Sequence, residues 1–338
     1  MYITDFILSR WKLSAAIHIA EDQFLVWKGE GWKIFFHLFF LLMTIFEFLE
    51  LDREELAKLD IPRNYITFYI VKSNGKRMRR IDAPLPRLKE IQKQILHKLI
   101  YKFKPHELAH GFVVNRNPAT NAQQHVGKKF IVKVDIKNFF PSIKTHQVDA
   151  LIRHLAIRLS LTWDIIDTAL IANVLCFNGS LPQGSPASPA ITNLICYALD
   201  VDLAKLQYSN SCIITRYADD ITASTDTYKN ALQAKYMIIR TLRQYNFVSN
   251  RLKLRIVGNH KRQKVTGIVI NNKLNTTKET WRNLRAAIHN LSGGSISEKV
   301  YQQLRGKIEW LKSLNPARGE KLLSELTKIS VNKLSTAT

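Results

Sequence analysis

Arg216-Tyr217-Ala218-Asp219-Asp220-Ile221-Thr222-Ala223 sets two acids side by side between apolar residues. Neighbouring side chains of a strand point to opposite faces, so adjacent carboxylates share one site only where the chain turns sharply. The flanking runs, Cys212-Ile213-Ile214-Thr215-Arg216 and Ile221-Thr222-Ala223-Ser224, are short and β-rich, which predicts a β-hairpin with the acids at its tip. Carboxylates held that close repel one another unless a cation lies between them. Alone, an Asp-Asp pair reads as an exposed acidic turn; here its surroundings argue for more.

A second acid stands upstream in Phe130-Ile131-Val132-Lys133-Val134-Asp135-Ile136-Lys137-Asn138-Phe139-Phe140-Pro141. A nearly unbroken apolar strand ending on one carboxylate puts that acid at the edge of a buried sheet, where it wants a cation. Between the two acidic elements, Leu181-Pro182-Gln183-Gly184-Ser185-Pro186 is a rigid turn feeding a long helix expected over 190–206. Before them, Tyr65-Ile66-Thr67-Phe68-Tyr69-Ile70 and a turn at Ser73-Asn74-Gly75 predict a hairpin with five basic residues, Lys72, Lys76, Arg77, Arg79 and Arg80, suited to closing over phosphates. A helix over 86–103 follows, then Asn121-Ala122-Gln123-Gln124-His125, whose Asn and His fall on one helical face. Beyond the Asp-Asp pair come a helix over 228–245, a second hairpin over 263–271, and a helical tail.

The chain of 338 residues carries 50 Lys and Arg against 27 Asp and Glu, a formal charge of +23. That balance suits a polyanion, nucleic acid before a membrane surface, because the basic residues are spread along the whole chain. The tail from 272 alone has 12 Lys and Arg against 5 Asp and Glu, compatible with gripping a duplex backbone. Cys176, Cys196 and Cys212 are odd in number, lack metal-ligand spacing and read as reduced core residues. No cleavable signal peptide is evident, so a cytoplasmic location is expected. The apolar run at 35–46 is too short to span a membrane and has acids close behind it, so it is expected as a buried helix.

Asp135, Asp219 and Asp220 together supply three carboxylates from two sheet elements, enough for two Mg²⁺ ions about 3.5–4 Å apart, the arrangement for in-line phosphoryl transfer. At this point the ordered set resembles a reverse transcriptase. The elements are Val134-Asp135-Ile136-Lys137-Asn138-Phe139-Phe140, Leu181 to Pro186, Tyr217-Ala218-Asp219-Asp220, and Val265-Thr266-Gly267-Ile268-Val269-Ile270-Asn271. Within that superfamily, residues 121–125 and Val265-Thr266-Gly267 resemble the two marks of bacterial retron enzymes.

The resemblance implies an α+β right-hand polymerase: a helical N-terminal region (1–60), fingers and palm (61–271), and a helical thumb (272–338). It implies that Asp135, Asp219 and Asp220 are metal ligands, that Phe140 is a steric gate against a 2′-hydroxyl, and that Gln183 and Gly184 lie beside the incoming deoxynucleoside triphosphate and template. Arg79 best matches the fingers residue on the triphosphate, with Lys76 and Arg77 as rivals. Lys253 matches a lysine that protonates pyrophosphate, although Leu254 follows it where Thr is more usual. Asn121, His125, Val265, Thr266 and Gly267 would serve RNA recognition or priming.

A retron enzyme copies part of its own structured non-coding RNA from an internal guanosine 2′-hydroxyl, giving branched RNA-linked DNA, and serves anti-phage defence with a separate effector. The alternatives are a group II intron or diversity-generating enzyme, an RNA polymerase (disfavoured by Phe140), and an idle RNA-binding scaffold, disfavoured by the intact triad. The apolar stretch at 34–51 departs from the pattern and is a candidate docking surface for an effector or another copy. On that view, deleting residues 1–50 spares synthesis.

Overall fold

The computed structural model describes residues 43–71, 78–209, 211–291, 295–328 and 330–332. Lys76, Arg77 and the Ser-Asn-Gly turn lie outside them, as does most of the 35–46 run.

Strands β1 (Tyr65–Val71) and β2 (Met78–Pro84) form the expected antiparallel hairpin, with Ile70 opposite Arg79 and Thr67 opposite Asp82. Alternation puts Ile66, Phe68, Ile70, Arg79 and Ile81 on one face and Tyr65, Thr67, Arg80 and Asp82 on the other. The central sheet has the order β4-β5-β3-β6, built from β3 (Phe130–Asp135), β4 (Ile213–Tyr217), β5 (Asp220–Thr225) and β6 (Arg255–Gly258). All its neighbours are antiparallel.

The two faces of this sheet differ in chemistry. Val132, Val134, Ile214, Ile221 and Ala223 point into the main apolar core, which the helices Tyr197–Ser209 and Tyr228–Gln244 cover. Burial of these aliphatic side chains, at about 25 cal/mol per Å², fixes strand register, because a one-residue slip would turn them outward. The opposite face carries Asp135, Asp220 and Lys133 toward one end. At the other end Ile131 packs with Ala122, Val265, Ile268 and Ile270.

The predicted 190–206 helix is two helices, Ser188–Ile195 and Tyr197–Ser209, with a bend at the fully buried Cys196. The second carries Asp200 to Arg216. The small hairpin of β7 (Lys264–Val265) and β8 (Ile268–Val269) sits against the helix Pro118–Gln123.

The apolar cores bear differently on the two ends of the chain. Ile45, Phe46, Leu49 and Leu56, from helices Ile45–Leu49 and Arg53–Lys58, belong to the same core as the palm, so this part of the N-terminal region is continuous with fingers and palm. Cutting at residue 50 therefore removes core, and the expectation that such a deletion spares synthesis does not fit this packing. The helices Lys278–Leu291, Glu298–Leu314 and Pro316–Leu326 enclose a core of their own, made by Leu284, Ile288, Leu304, Ile308, Leu311, Leu322 and Leu326. All three cysteines are buried and unbonded to one another, their thiol pKa values pushed up to about 11 or 12 by burial. Among the described residues, no helix is long and apolar enough to cross a membrane.

Candidate active site

Tyr217 pairs with Asp220, which leaves Ala218 and Asp219 as a two-residue turn between β4 and β5. Ala218 adopts φ 55°, in the left-handed region that a first turn residue of this kind requires. The strain is held from both sides. On one, Gly111 lies so close that a Cβ there would come within 2.7 Å of the Ala218 nitrogen. On the other, Arg216 is wholly buried and donates to both carboxylate oxygens of Asp200, at 2.7 and 2.6 Å, and to the Ala218 carbonyl at 3.3 Å. A bidentate buried pair fixes orientation as well as charge.

The hairpin turn brings the predicted acids together. Asp135, at the end of β3, is the cross-strand partner of Asp220, and the Ile136 amide donates to the Asp219 carbonyl at 2.8 Å. Each outer acid meets an ammonium: Lys253 Nζ donates to Asp135 Oδ2 at 2.5 Å, and Lys133 Nζ lies 2.9 Å from Asp220 Oδ2. Asn250 clasps Asp135 twice, through its amide side chain to Oδ1 at 3.0 Å and its backbone N–H to the carbonyl at 2.7 Å. Burial and the nearby Asp135 push the carboxyl of Asp219 upward, opposed by a backbone hydrogen bond and Lys253.

Asp135 and Asp220 are turned onto lysines, and among the described residues no three His, Cys, Asp or Glu side chains surround one point as a metal cage. The donor chemistry nevertheless fits a hard divalent cation: carboxylate oxygens, no nitrogen or sulfur, and one acid whose charge is left underneutralised. Lys253, on an exposed loop, would have to give way.

The other expected residues fall around the acids. Left-handed Asn138 (φ 51°) turns the chain into the helix Phe139–Ser142; Phe139 packs on Phe247 and Phe140 stays half exposed beside it. Gln183 accepts the Asp82 amide at 2.9 Å, and a Cβ on Gly184 would fall 2.4 Å from the Asp82 carbonyl oxygen and 3.1 Å from Ile81. The Pro-Gln-Gly turn thus grips β2 on the side that also carries Arg79. Arg80 is on the other face, tied to Asp82 at 2.9 Å and over the Phe177 ring, so of the described basic residues of the hairpin Arg79 is the one aimed with the turn.

Asn121, His125 and Val265 are buried, contrary to a direct role in touching RNA. His125 spans Ser224 and Thr215, 2.8 Å from each hydroxyl, and burial depresses its pKa to about 3, so it is a neutral tie across β4 and β5. Thr266 (φ 47°) donates to the Pro118 carbonyl at 2.8 Å, and Gly267 (φ 85°) is exposed at the hairpin tip. These residues scaffold the sheet, and only the tip reaches solvent.

Sequence reading passed over Lys133, Asn250, Arg216 and Asp200. The signal for Lys133 was present, since a residue two before Asp135 on a strand shares its face. The other contacts join positions far apart in sequence and have no local signature.

An antiparallel sheet backed by helices, with acids at the meeting of its central strands and a helical lobe with a core of its own, defines a right-hand polymerase fold. The family model described as Reverse transcriptase (RNA-dependent DNA polymerase) matches residues 70–270. The Retron Ec86 reverse transcriptase of Escherichia coli is 31% identical over 264 residues, covering 77% of this chain and 80% of that protein. Two proteins of Myxococcus xanthus are similar as well. The Retron Mx162 reverse transcriptase is 31% identical over 80% of this chain and 62% of its own length. The Retron Mx65 reverse transcriptase is 32% identical over 77% and 64%. The chain belongs to the reverse transcriptases, and within them to the retron enzymes: it is an RNA-directed DNA polymerase.

Proposed function

We propose that this retron polymerase copies part of a cognate structured non-coding RNA at a two-Mg²⁺ site formed by Asp135, Asp219 and Asp220. The observation that carries the reading is the cross-strand pairing of Asp135 with Asp220, with Asp219 at the adjoining turn. When bound there, Mg²⁺ would lower the pKa of the primer hydroxyl and neutralise the triphosphate. The chain's own residues do the rest. Arg79 and the Gln183-Gly184 turn orient the incoming deoxynucleotide, with Lys76 and Arg77 nearby in sequence. The partly exposed Phe140 ring meets the sugar and excludes a 2′-hydroxyl. Lys253, released from Asp135, is poised to give a proton to the leaving pyrophosphate.

Synthesis starts from the 2′-hydroxyl of an internal guanosine and yields branched RNA-linked single-stranded DNA. Asn121, His125 and Val265 support this from within, holding the hairpin that presents Thr266 and Gly267 toward the RNA. The enzyme acts in the bacterial cytoplasm, in anti-phage defence, with a separate effector protein and in homo- or hetero-oligomeric form. The test is the nucleic acid that co-purifies with the full chain and its flanking RNA. Branched DNA resistant to release until a debranching enzyme is added supports the reading; bulk cellular RNA with no linked DNA contradicts it.

A further inference from the structure

The two outer acids meet lysines of different kinds. Lys253 lies in the loop leading to β6, its side chain 58% exposed, free to swing into solvent. Lys133 sits inside β3, its side chain 15% exposed, with Thr222 of β5 opposite on one side and Arg255 of β6 on the other. Its backbone is held by strands on both sides, and the strand repeat puts it on the same face as Asp135. Among the described residues its ammonium has one acid partner, Asp220.

We propose that Lys133 is a positioning residue, a resident counter-cation that stays on Asp220 when a divalent metal binds, whereas Lys253 is displaced from Asp135. The proposal rests on the reading of the three acids as the metal site. Three carboxylates crowded at a partly buried sheet edge repel one another, and a fixed ammonium removes one unit of that repulsion while holding Asp220 in a single orientation. The adjacent acids then have separate tasks. Asp219 is left for metal, and one oxygen of Asp220 is committed to the strand beside it. The same positive charge opposes an incoming cation, so Lys133 also keeps metal affinity low enough for exchange.

The test is titration of the full-length, nucleic-acid-free chain with Mn²⁺, the free ion being followed by electron paramagnetic resonance. Removing a unit charge about 6 Å from a divalent ion in a water-like dielectric is expected to tighten binding roughly tenfold in Lys133→Met, with Lys133→Arg within about twofold of the parent. Lys133→Gln carries the same expectation should the Met variant fail to fold. Binding within about twofold of the parent in both neutral variants would overturn the proposal. The double variant Asp219→Asn/Asp220→Asn separates the two ideas. If it titrates like the parent, the metal-site reading falls; if it loses the site while the Lys133 variants are unchanged, only the lysine proposal falls. A lysine that served stability alone would alter the metal-free Tm and leave Mn²⁺ affinity where it was.

Discussion

Asp219 is the residue in which the electrostatics of the site concentrate. Its carboxyl is raised above the ordinary value by burial and by Asp135, so in the metal-free protein its charged form is disfavoured. The stability it allows is fully present below the unfolded pKa and is lost as pH rises through the folded one. Asp219→Asn is therefore expected to raise the Tm of metal-free protein at pH 7, by an amount that shrinks as pH falls toward 4. A scanning fluorimetry series showing a lower Tm at pH 7 would contradict this. His125 has the opposite sign: held neutral with a pKa near 3, it contributes stability that is fully present above about pH 6.5 and is lost progressively as pH falls from there toward 3. His125→Ala strands the hydroxyls of Thr215 and Ser224 and opens a cavity, at a cost of about 2–4 kcal/mol in urea unfolding. If RNA affinity fell with no loss of stability, the residue would be a contact and not a tie. The acids were legible because tandem carboxylates between β-rich runs are rare in a core. Asn250 was not, since it reaches Asp135 across 115 residues of sequence.

At the scale of elements, close backbone approach sets the distance between fingers and palm. Gly184 has φ 148°, and a methyl there would meet the backbone of Asp82, which cannot move without shifting β2. Gly184→Ala is expected to push away the strand that carries Arg79, raising KM for deoxynucleotide about tenfold or more while kcat changes less. Steady-state extension on a fixed primer–template measures the split; an unchanged KM would show that the turn does not set the nucleotide pocket. The hairpins, the strand ending in Asp135 and the thumb helices followed from hydrophobic period and turn residues. The bend at Cys196 did not, because the apolar pattern runs through it without a break. Nor was the burial of Asn121 and His125 visible: a polar pair on one helical face reads alike whether it faces RNA or a row of strand hydroxyls.

For the whole molecule, the basic surplus and the ordered motifs gave the class of activity, whereas the lobes' boundaries depended on which cores merge. Ile45 and Leu49 are fully buried in the palm's own core. Removing residues 1–50 is expected to cost several kcal/mol, about 2–5 for each such Leu or Ile, and to leave little soluble protein. Soluble, fully active material from that truncation would show that these helices are dispensable. The thumb has a core of its own, yet Leu314 at the end of its second helix packs with Ile131 of β3, the strand that ends in Asp135.

The measurement closest to the central claim is primer extension on an RNA template with deoxynucleotides and Mg²⁺, comparing the parent chain with Asp219→Ala/Asp220→Ala. If the hairpin turn and Asp135 are the seat of chemistry, the parent makes DNA and the variant loses synthesis by about a thousandfold or more, with RNA affinity within about threefold of the parent. DNA synthesis at the parental rate in the double variant would contradict the assignment.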